Sequence, residues 1–432
     1  MFDKSKVLFD KACEIIPGGV NSPVRFFRPH PFYVISGNGS KIFTKEGNML
    51  IDYCMGYGAV FLGHSNKDIA LEVKDQIDKG NLFCIPTEKE IDLAEKCIKL
   101  IPGAEMIRIT NTGAEANMHA IRLARAFTKK TKIIKFDGGY HGAFDYVMDK
   151  STGSAISELG KVEDGILIES INKTITVPFN DLNALQTVIE KEKNNENDIA
   201  CIIIEPVLAN SGLILPEKNY LNEVREITKK NNIILIFDEV VTGFRLALGG
   251  ASEFFGIKAD IITFAKALGN GYPISLIAGR KDIMSQFAPN GKVYEASTFA
   301  ANPVSVTAAL KTIEILNKNK NTIYPKVNKT CDRLVNAIKD IAYDKDIKIS
   351  INSIGSMFQI FFTEKPIKSY QDVKTSDIGK FSELFKILLY KGDIFIPPSQ
   401  YETCFISADH NEEDIEKTIE GYENALTKVK DI

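Results

Sequence analysis

The strongest constraint on how this chain folds is the stretch from Ile233 to Pro273. It opens with Ile233-Ile234-Leu235-Ile236-Phe237, an apolar run without alternation, and ends in two carboxylates, Asp238-Glu239. Such a run suits a strand buried inside a sheet that helices cover on both faces. A second short apolar run, Ile261 to Phe264, stops at Ala265-Lys266 before a glycine-rich turn, Gly269-Asn270-Gly271. In an open α/β sheet, residues just past the carboxyl ends of the strands line the ligand crevice. The pattern therefore sets Asp238 and Lys266 on one cavity.

A buried acid and a desolvated amine at neighbouring strand ends suit pyridoxal phosphate. The amine condenses with the cofactor aldehyde, and the carboxylate keeps the pyridine nitrogen protonated so that the ring accepts electrons. A structural ion pair at a sheet edge uses the same two residue types, and spacing alone does not choose between the two readings.

The whole chain narrows the field. Its 432 residues are too many for one small core and suit a large α/β domain with a smaller companion. With 53 basic and 56 acidic side chains, the formal charge of -3 offers no reason to expect nucleic acid or an anionic membrane as partner. No apolar run approaches the ~18 to 20 residues of a spanning helix, and Met1-Phe2-Asp3-Lys4-Ser5-Lys6 lacks a signal-peptide core. A soluble, cytoplasmic protein is expected. The 7 cysteines show no Cys-x-x-Cys pair and the 5 histidines no ligand spacing, which predicts reduced thiols and no metal site.

Three segments divide the chain: an N-terminal helix and loop over 1–60, a large domain over 61–310 and an α+β domain over 311–432. In the first, a helix from about Lys4 to Ile15 is stopped by Pro17-Gly18-Gly19. Val20-Asn21-Ser22-Pro23-Val24-Arg25 then forms an irregular loop presenting a hydroxyl and a guanidinium, which can hold a carboxylate or phosphate through two parallel hydrogen bonds. Alone, Arg25 reads first as an exposed loop arginine. Short strands near Tyr33, Lys41 and Leu50 suggest a small antiparallel meander.

In the second segment, the turn Asn111-Thr112-Gly113-Ala114-Glu115 opens a helix whose free N–H groups and positive dipole end make a phosphate seat, or a plain N-cap. Glycines flank Tyr140 in Gly138-Gly139-Tyr140-His141-Gly142, so its ring can stand against something flat, although a Tyr in a turn is otherwise unremarkable. Met148 to Val177 reads mostly as a loop covering the site. The strand Ala200 to Ile204 runs into Glu205 and reaches Asn210, and a helix near Leu221 to Asn231 leads on to the next strand, as parallel crossovers require. In the third segment, helices near Val327, Ile378 and Glu412 alternate with short strands, and Pro397-Pro398-Ser399-Gln400-Tyr401-Glu402 is a rigid loop.

Taken together, Ile16 to Arg25, Ile51-Asp52-Tyr53, Leu62-Gly63-His64, Asn111 to Ala116, Tyr140-His141-Gly142, Phe237 to Arg245, Lys266 and Pro398 to Glu402 carry a resemblance over nearly the full length. The chain resembles the class III aminotransferases of fold-type I pyridoxal phosphate architecture. The central motifs are shared by that whole group. The first and last are particular to its aminomutase branch, which isomerises glutamate-1-semialdehyde to 5-aminolevulinate for tetrapyrrole synthesis.

The resemblance implies a mostly parallel seven-stranded sheet between helices, plus a smaller C-terminal domain. It assigns Lys266 to the covalent link with the cofactor and to proton shuttling, Asp238 to the pyridine nitrogen, Tyr140 to stacking and Asn210 to the ring hydroxyl. Thr112 and Gly113 would hold the phosphate, Glu205 would belong to the cofactor surroundings, and Thr298 would come from the partner subunit of a homodimer with composite sites. Ser22 and Arg25 would bind the substrate carboxylate, with Glu402 near that arginine. The cofactor would start as pyridoxamine phosphate, and the Met148 to Val177 loop would be a gate. Docking onto glutamyl-tRNA reductase, which supplies the semialdehyde, is a further partner the resemblance admits. An ω-aminotransferase with an external amino donor would share the cofactor residues and differ in the substrate loops.

Some positions depart from the family pattern. Gly56-Tyr57-Gly58 stands where relatives often have Ser-Trp-Gly, Ser297-Thr298 where they have Gly-Thr, and Asn270 where they have Gly; Ala114 lacks a hydroxyl often found there.

Overall fold

The computed structural model describes residues 2–149, 152–153 and 164–430. Near the start, β1 (Val34–Asn38), β2 (Lys41–Thr44) and β3 (Met49–Asp52) form the expected antiparallel meander. The central sheet comprises β4 (Met106–Thr110), β5 (Lys132–Phe136), β6 (Thr174–Val177), β7 (Ile199–Ile204), β8 (Ile234–Glu239), β9 (Ile261–Phe264) and β10 (Ser275–Gly279). Its order is β4-β10-β9-β8-β7-β5-β6. The block from β9 to β6 is parallel, and only β10 opposes its neighbours. This is the mostly parallel seven-stranded sheet that the resemblance implies.

The unbroken apolar runs have the expected consequence: β7, β8 and β9 are buried at every position. The helix Gly113–Thr128 packs across β7, β8, β9 and β10, and the helix Tyr220–Lys230 packs on β8. In the parallel register Asp238 lies opposite Thr263 and Glu239 opposite Phe264. Lys266, two residues past β9, therefore emerges one strand over from Asp238, at the same carboxyl edge.

The C-terminal strands β11 (Ser350–Ile354), β12 (Met357–Phe361) and β14 (Cys404–Phe405) form a separate three-stranded sheet. Between them in sequence, β13 (Ile394–Phe395) instead pairs in parallel with β3, Ile394 against Ile51 and Phe395 against Asp52. The N-terminal and C-terminal segments thus share one four-stranded sheet. Helices Lys320–Asp344, Ile378–Gly392 and Glu412–Val429 flank this region.

One difference from the sequence reading lies between Met148 and Val177. Its last four residues are strand β6, paired with β5 from Ile133–Thr174 to Phe136–Val177, and Ile168–Ile171 is a single helical turn. Hydrogen bonds to the neighbouring strand outweigh the weak local pattern there. Residues 150–151 and 154–163, the middle of the segment read as a gate, lie outside the described residues. Among the described residues, no helix is long and apolar enough to cross a membrane, and no group of three or more His, Cys, Asp or Glu could hold a metal ion.

Candidate active site

Asp238 is the penultimate residue of β8 and is only 3% exposed. Its Oδ2 accepts hydrogen bonds from Asn117 Nδ2 at 2.7 Å and pairs with His141 Nδ1 at 2.7 Å, while Oδ1 accepts the Val240 N–H at 3.0 Å. Asn117 is fixed in turn, since its Oδ1 accepts from the Thr263 hydroxyl at 2.7 Å. A buried carboxylate needs such partners to offset its desolvation. His141 and Asn117 were not singled out from sequence. The available signals were a histidine beside Tyr140 and one polar residue on the otherwise apolar Ala116–Ala120 face.

Lys266 follows β9 in a 3-10 turn with φ of 45°, a left-handed conformation sparsely populated by side chains larger than glycine. Part of the residue is accessible, but its amine is surrounded by protein. Burial drives the amine below the ordinary lysine range, and the carboxylates of Glu402, Glu205 and Asp238 act in the opposite sense. The structure thus brings the predicted amine and its three acids into one electrostatic neighbourhood.

Glu205, just past β7, is a hub. Its Oε1 accepts the Tyr140 N–H at 2.9 Å, and its Oε2 accepts Asn210 Nδ2 at 2.9 Å and the Ala209 N–H at 3.2 Å. Burial, then the charge of Asp238, pushes its carboxyl well above the usual range. Tyr140 and Asn210, both half-buried, are consequently held by one side chain at the sheet edge.

The helix Gly113–Thr128 begins with a complete capping box: the Thr112 hydroxyl accepts the Glu115 N–H at 3.2 Å, and Glu115 Oε2 accepts the Asn111 N–H at 2.8 Å and the Thr112 N–H at 3.3 Å. The N-cap is thus present, and it leaves the first-turn N–H groups of Gly113 and Ala114 directed along the helix axis, as a phosphate seat requires. The turn is tightly packed. A Cβ on Gly113 would stand 2.7 Å from Val240 Cγ2, and one on Gly142 would stand 2.5 Å from Ala114 Cβ. A buried amine, a fixed carboxylate and a helix start with free N–H groups fit the aldehyde, pyridine nitrogen and phosphate of pyridoxal phosphate.

Ser22 and Arg25 stand apart from this cluster, on the turn Pro23–Arg25, where the Arg25 N–H donates to Ser22 O at 3.0 Å. Arg25 lines a cavity of about 530 Å³ with Asn21, Tyr57, Cys54, Asp52 and His64, whereas Lys266 and Ser22 do not line it. Glu402 is buried and its charge acts on Tyr57 in one group and on Tyr140 and Lys266 in the other. Thr298 is exposed beside Leu82, Phe83, Ile85 and Arg108, on the surface next to the helix start, where Asn111 Nδ2 donates to Ser297 Oγ at 2.8 Å.

This sheet with its carboxyl-edge lysine and acids defines a transferase of the aminotransferase class-III family, to which the chain belongs: the model of that family matches residues 27–403. The chain is 52% identical over 424 residues to the glutamate-1-semialdehyde 2,1-aminomutase of Nitrosopumilus maritimus, covering 98% of this chain and 99% of that one. Among solved structures, an omega-transaminase from Sphaerobacter thermophilus superposes with a TM-score of 0.91 at 28% identity, covering 98% of this chain and 97% of the other. A glutamate-1-semialdehyde-aminomutase from Pseudomonas aeruginosa PAO1 in complex with PMP gives a TM-score of 0.87 at 18% identity, covering 99% and 94%. At that identity the last likeness speaks to the fold alone, and the fold is common to both activities.

Proposed function

We propose that this chain isomerises glutamate-1-semialdehyde to 5-aminolevulinate with a pyridoxal phosphate cofactor that enters the cycle in its pyridoxamine form. The observation that carries the reading is Arg25 on the wall of a cavity it shares with Tyr57, whose phenol senses the charge of Glu402, the carboxylate that also acts on the buried amine of Lys266. Full-length likeness to aminomutases supports it. When bound, the cofactor supplies an electron-accepting ring that makes a carbanion at the substrate carbon tolerable.

The chain's own residues do the rest. Arg25, with Ser22 beside it, binds the substrate carboxylate and fixes which carbons face Lys266. The Lys266 amine, whose pKa burial lowers, takes and returns the proton at both amine-bearing carbons. Asp238, oriented by His141 and Asn117, would pair with the pyridine nitrogen and keep it charged. Glu205 fixes the Tyr140 backbone and the Asn210 amide, so that Tyr140 would stack on the cofactor ring and Asn210 would meet its hydroxyl. Gly113 and Ala114 would hold the phosphate through their backbone N–H groups, and Thr112, whose own N–H is taken by Glu115, through its hydroxyl. Thr298 of a second copy completes that seat in a homodimer. The protein works in the cytoplasm, and docking onto glutamyl-tRNA reductase fits the instability of an α-amino aldehyde.

The rival is an ω-aminotransferase using an external donor, favoured by the 0.91 superposition on the Sphaerobacter enzyme. Incubating the purified holoenzyme with semialdehyde and no amino donor separates the two. Sustained formation of 5-aminolevulinate over many turnovers is expected, and conversion that halts after one equivalent per site establishes the transaminase.

A further inference from the structure

Four consecutive residues, Met55, Gly56, Tyr57 and Gly58, carry φ values of 45°, 62°, 53° and 84°. A left-handed turn that includes two residues with side chains does not persist unless its surroundings impose it. From one side, Asp52 Oδ1 accepts the N–H groups of Cys54 at 2.8 Å and Met55 at 3.0 Å. Within the turn, Val60 N–H donates to Met55 O at 3.0 Å. From below, Arg245 Nη2 donates to Gly58 O at 2.7 Å, and a Cβ on Gly58 would stand 2.8 Å from the Phe405 ring.

Arg245 is itself an unusual anchor. It is fully buried and, among the described residues, lies in no ion pair with a carboxylate. Its guanidinium is sandwiched between the rings of Phe61, at 4.8 Å, and Phe405, at 4.7 Å, and its Nη1 donates to Ser356 Oγ at 3.0 Å. Cation–π contact and carbonyl acceptors stand in for a counter-ion. The turn that results presents one functional group outward: the Tyr57 hydroxyl donates to the carbonyl of Val24, the residue before Arg25. Tyr57, Val24 and Arg25 line the same cavity.

We propose that Tyr57 is a positioning residue for substrate recognition: through its hydrogen bond to Val24, and from a turn clamped by Arg245, it sets the direction in which Arg25 meets the substrate carboxylate. This rests on the reading of Arg25 as the carboxylate ligand. The test is a double-mutant cycle of Tyr57→Phe and Arg25→Ala in the holoenzyme, reading KM and kcat for the semialdehyde and the inhibition constant of pentanoate, a bare five-carbon carboxylate. Phe keeps the ring and removes only the latch. One lost hydrogen bond predicts a rise of about three- to tenfold in KM and in the pentanoate constant, kcat within about twofold, and an unchanged cofactor absorbance. In the Arg25→Ala background the second substitution should add nothing. If Arg25→Ala raises KM but Tyr57→Phe does not, or if Tyr57→Phe acts equally in both backgrounds, the latch is refuted and the carboxylate reading stands. If Arg25→Ala leaves KM unaltered, the carboxylate reading fails and takes the latch with it.

Discussion

At the level of single residues, the chemistry turns on how burial and charge are balanced at Lys266. Replacing it with Ala should cut turnover by roughly a thousandfold or more, because the proposed mechanism gives this one amine both proton transfers, while circular dichroism stays native. A variant with full activity removes the mechanism. The protonation state adds a second test. Because burial lowers the amine's pKa, kcat/KM should fall on the acid side as pH drops through that depressed value, well below the ordinary lysine figure of about 10.4. Glu402 heads the carboxylates that favour the charged amine, so Glu402→Gln should move this limb to lower pH still. An unmoved or upward-shifted limb shows that the two side chains do not sense each other. Lys266 was legible in the sequence because it follows a recognisable apolar run, whereas Glu402 was reached only through the family resemblance. His141 and Asn117 were not legible, since they reach Asp238 from 97 and 121 positions away in the chain, a closeness that only the fold creates.

Elements set the precision of the site. The helix Gly113–Thr128 can approach Val240 only because its first residue has no Cβ. Gly113→Ala should therefore shift the helix start and cost about 1 to 3 kcal/mol. The expected result is a lower Tm together with faster loss of cofactor on gel filtration; a variant that retains cofactor normally places the phosphate elsewhere. The same scale shows where pattern reading works. The runs of β7 and β8 are apolar throughout and were plain, whereas β6 is four residues in a polar, lysine-bearing stretch, and β13 only two. Strands this short carry too little periodicity to be seen and exist because a neighbouring strand offers hydrogen bonds.

For the molecule as a whole, the proposed composite site makes a prediction that a self-contained site does not. A chain bearing Lys266→Ala and a chain bearing Thr298→Ala, each weakly active alone, should recover activity when mixed and allowed to exchange subunits. The hybrid holds one site with the intact lysine of one copy and the intact threonine of the other. If Thr298 served its own chain, neither site of the hybrid would be whole and mixing would restore nothing.

The pairing of β13 with β3 also orders events during synthesis. The ribosome releases the guanidinium loop among its first products, yet the sheet behind that loop stays one strand short until residue 395 has emerged. Strands β4 to β10 are complete by residue 279, so the central sheet can form ahead of that closure, whereas the cavity beside Arg25, lined also by Phe395, gains its full wall only afterwards.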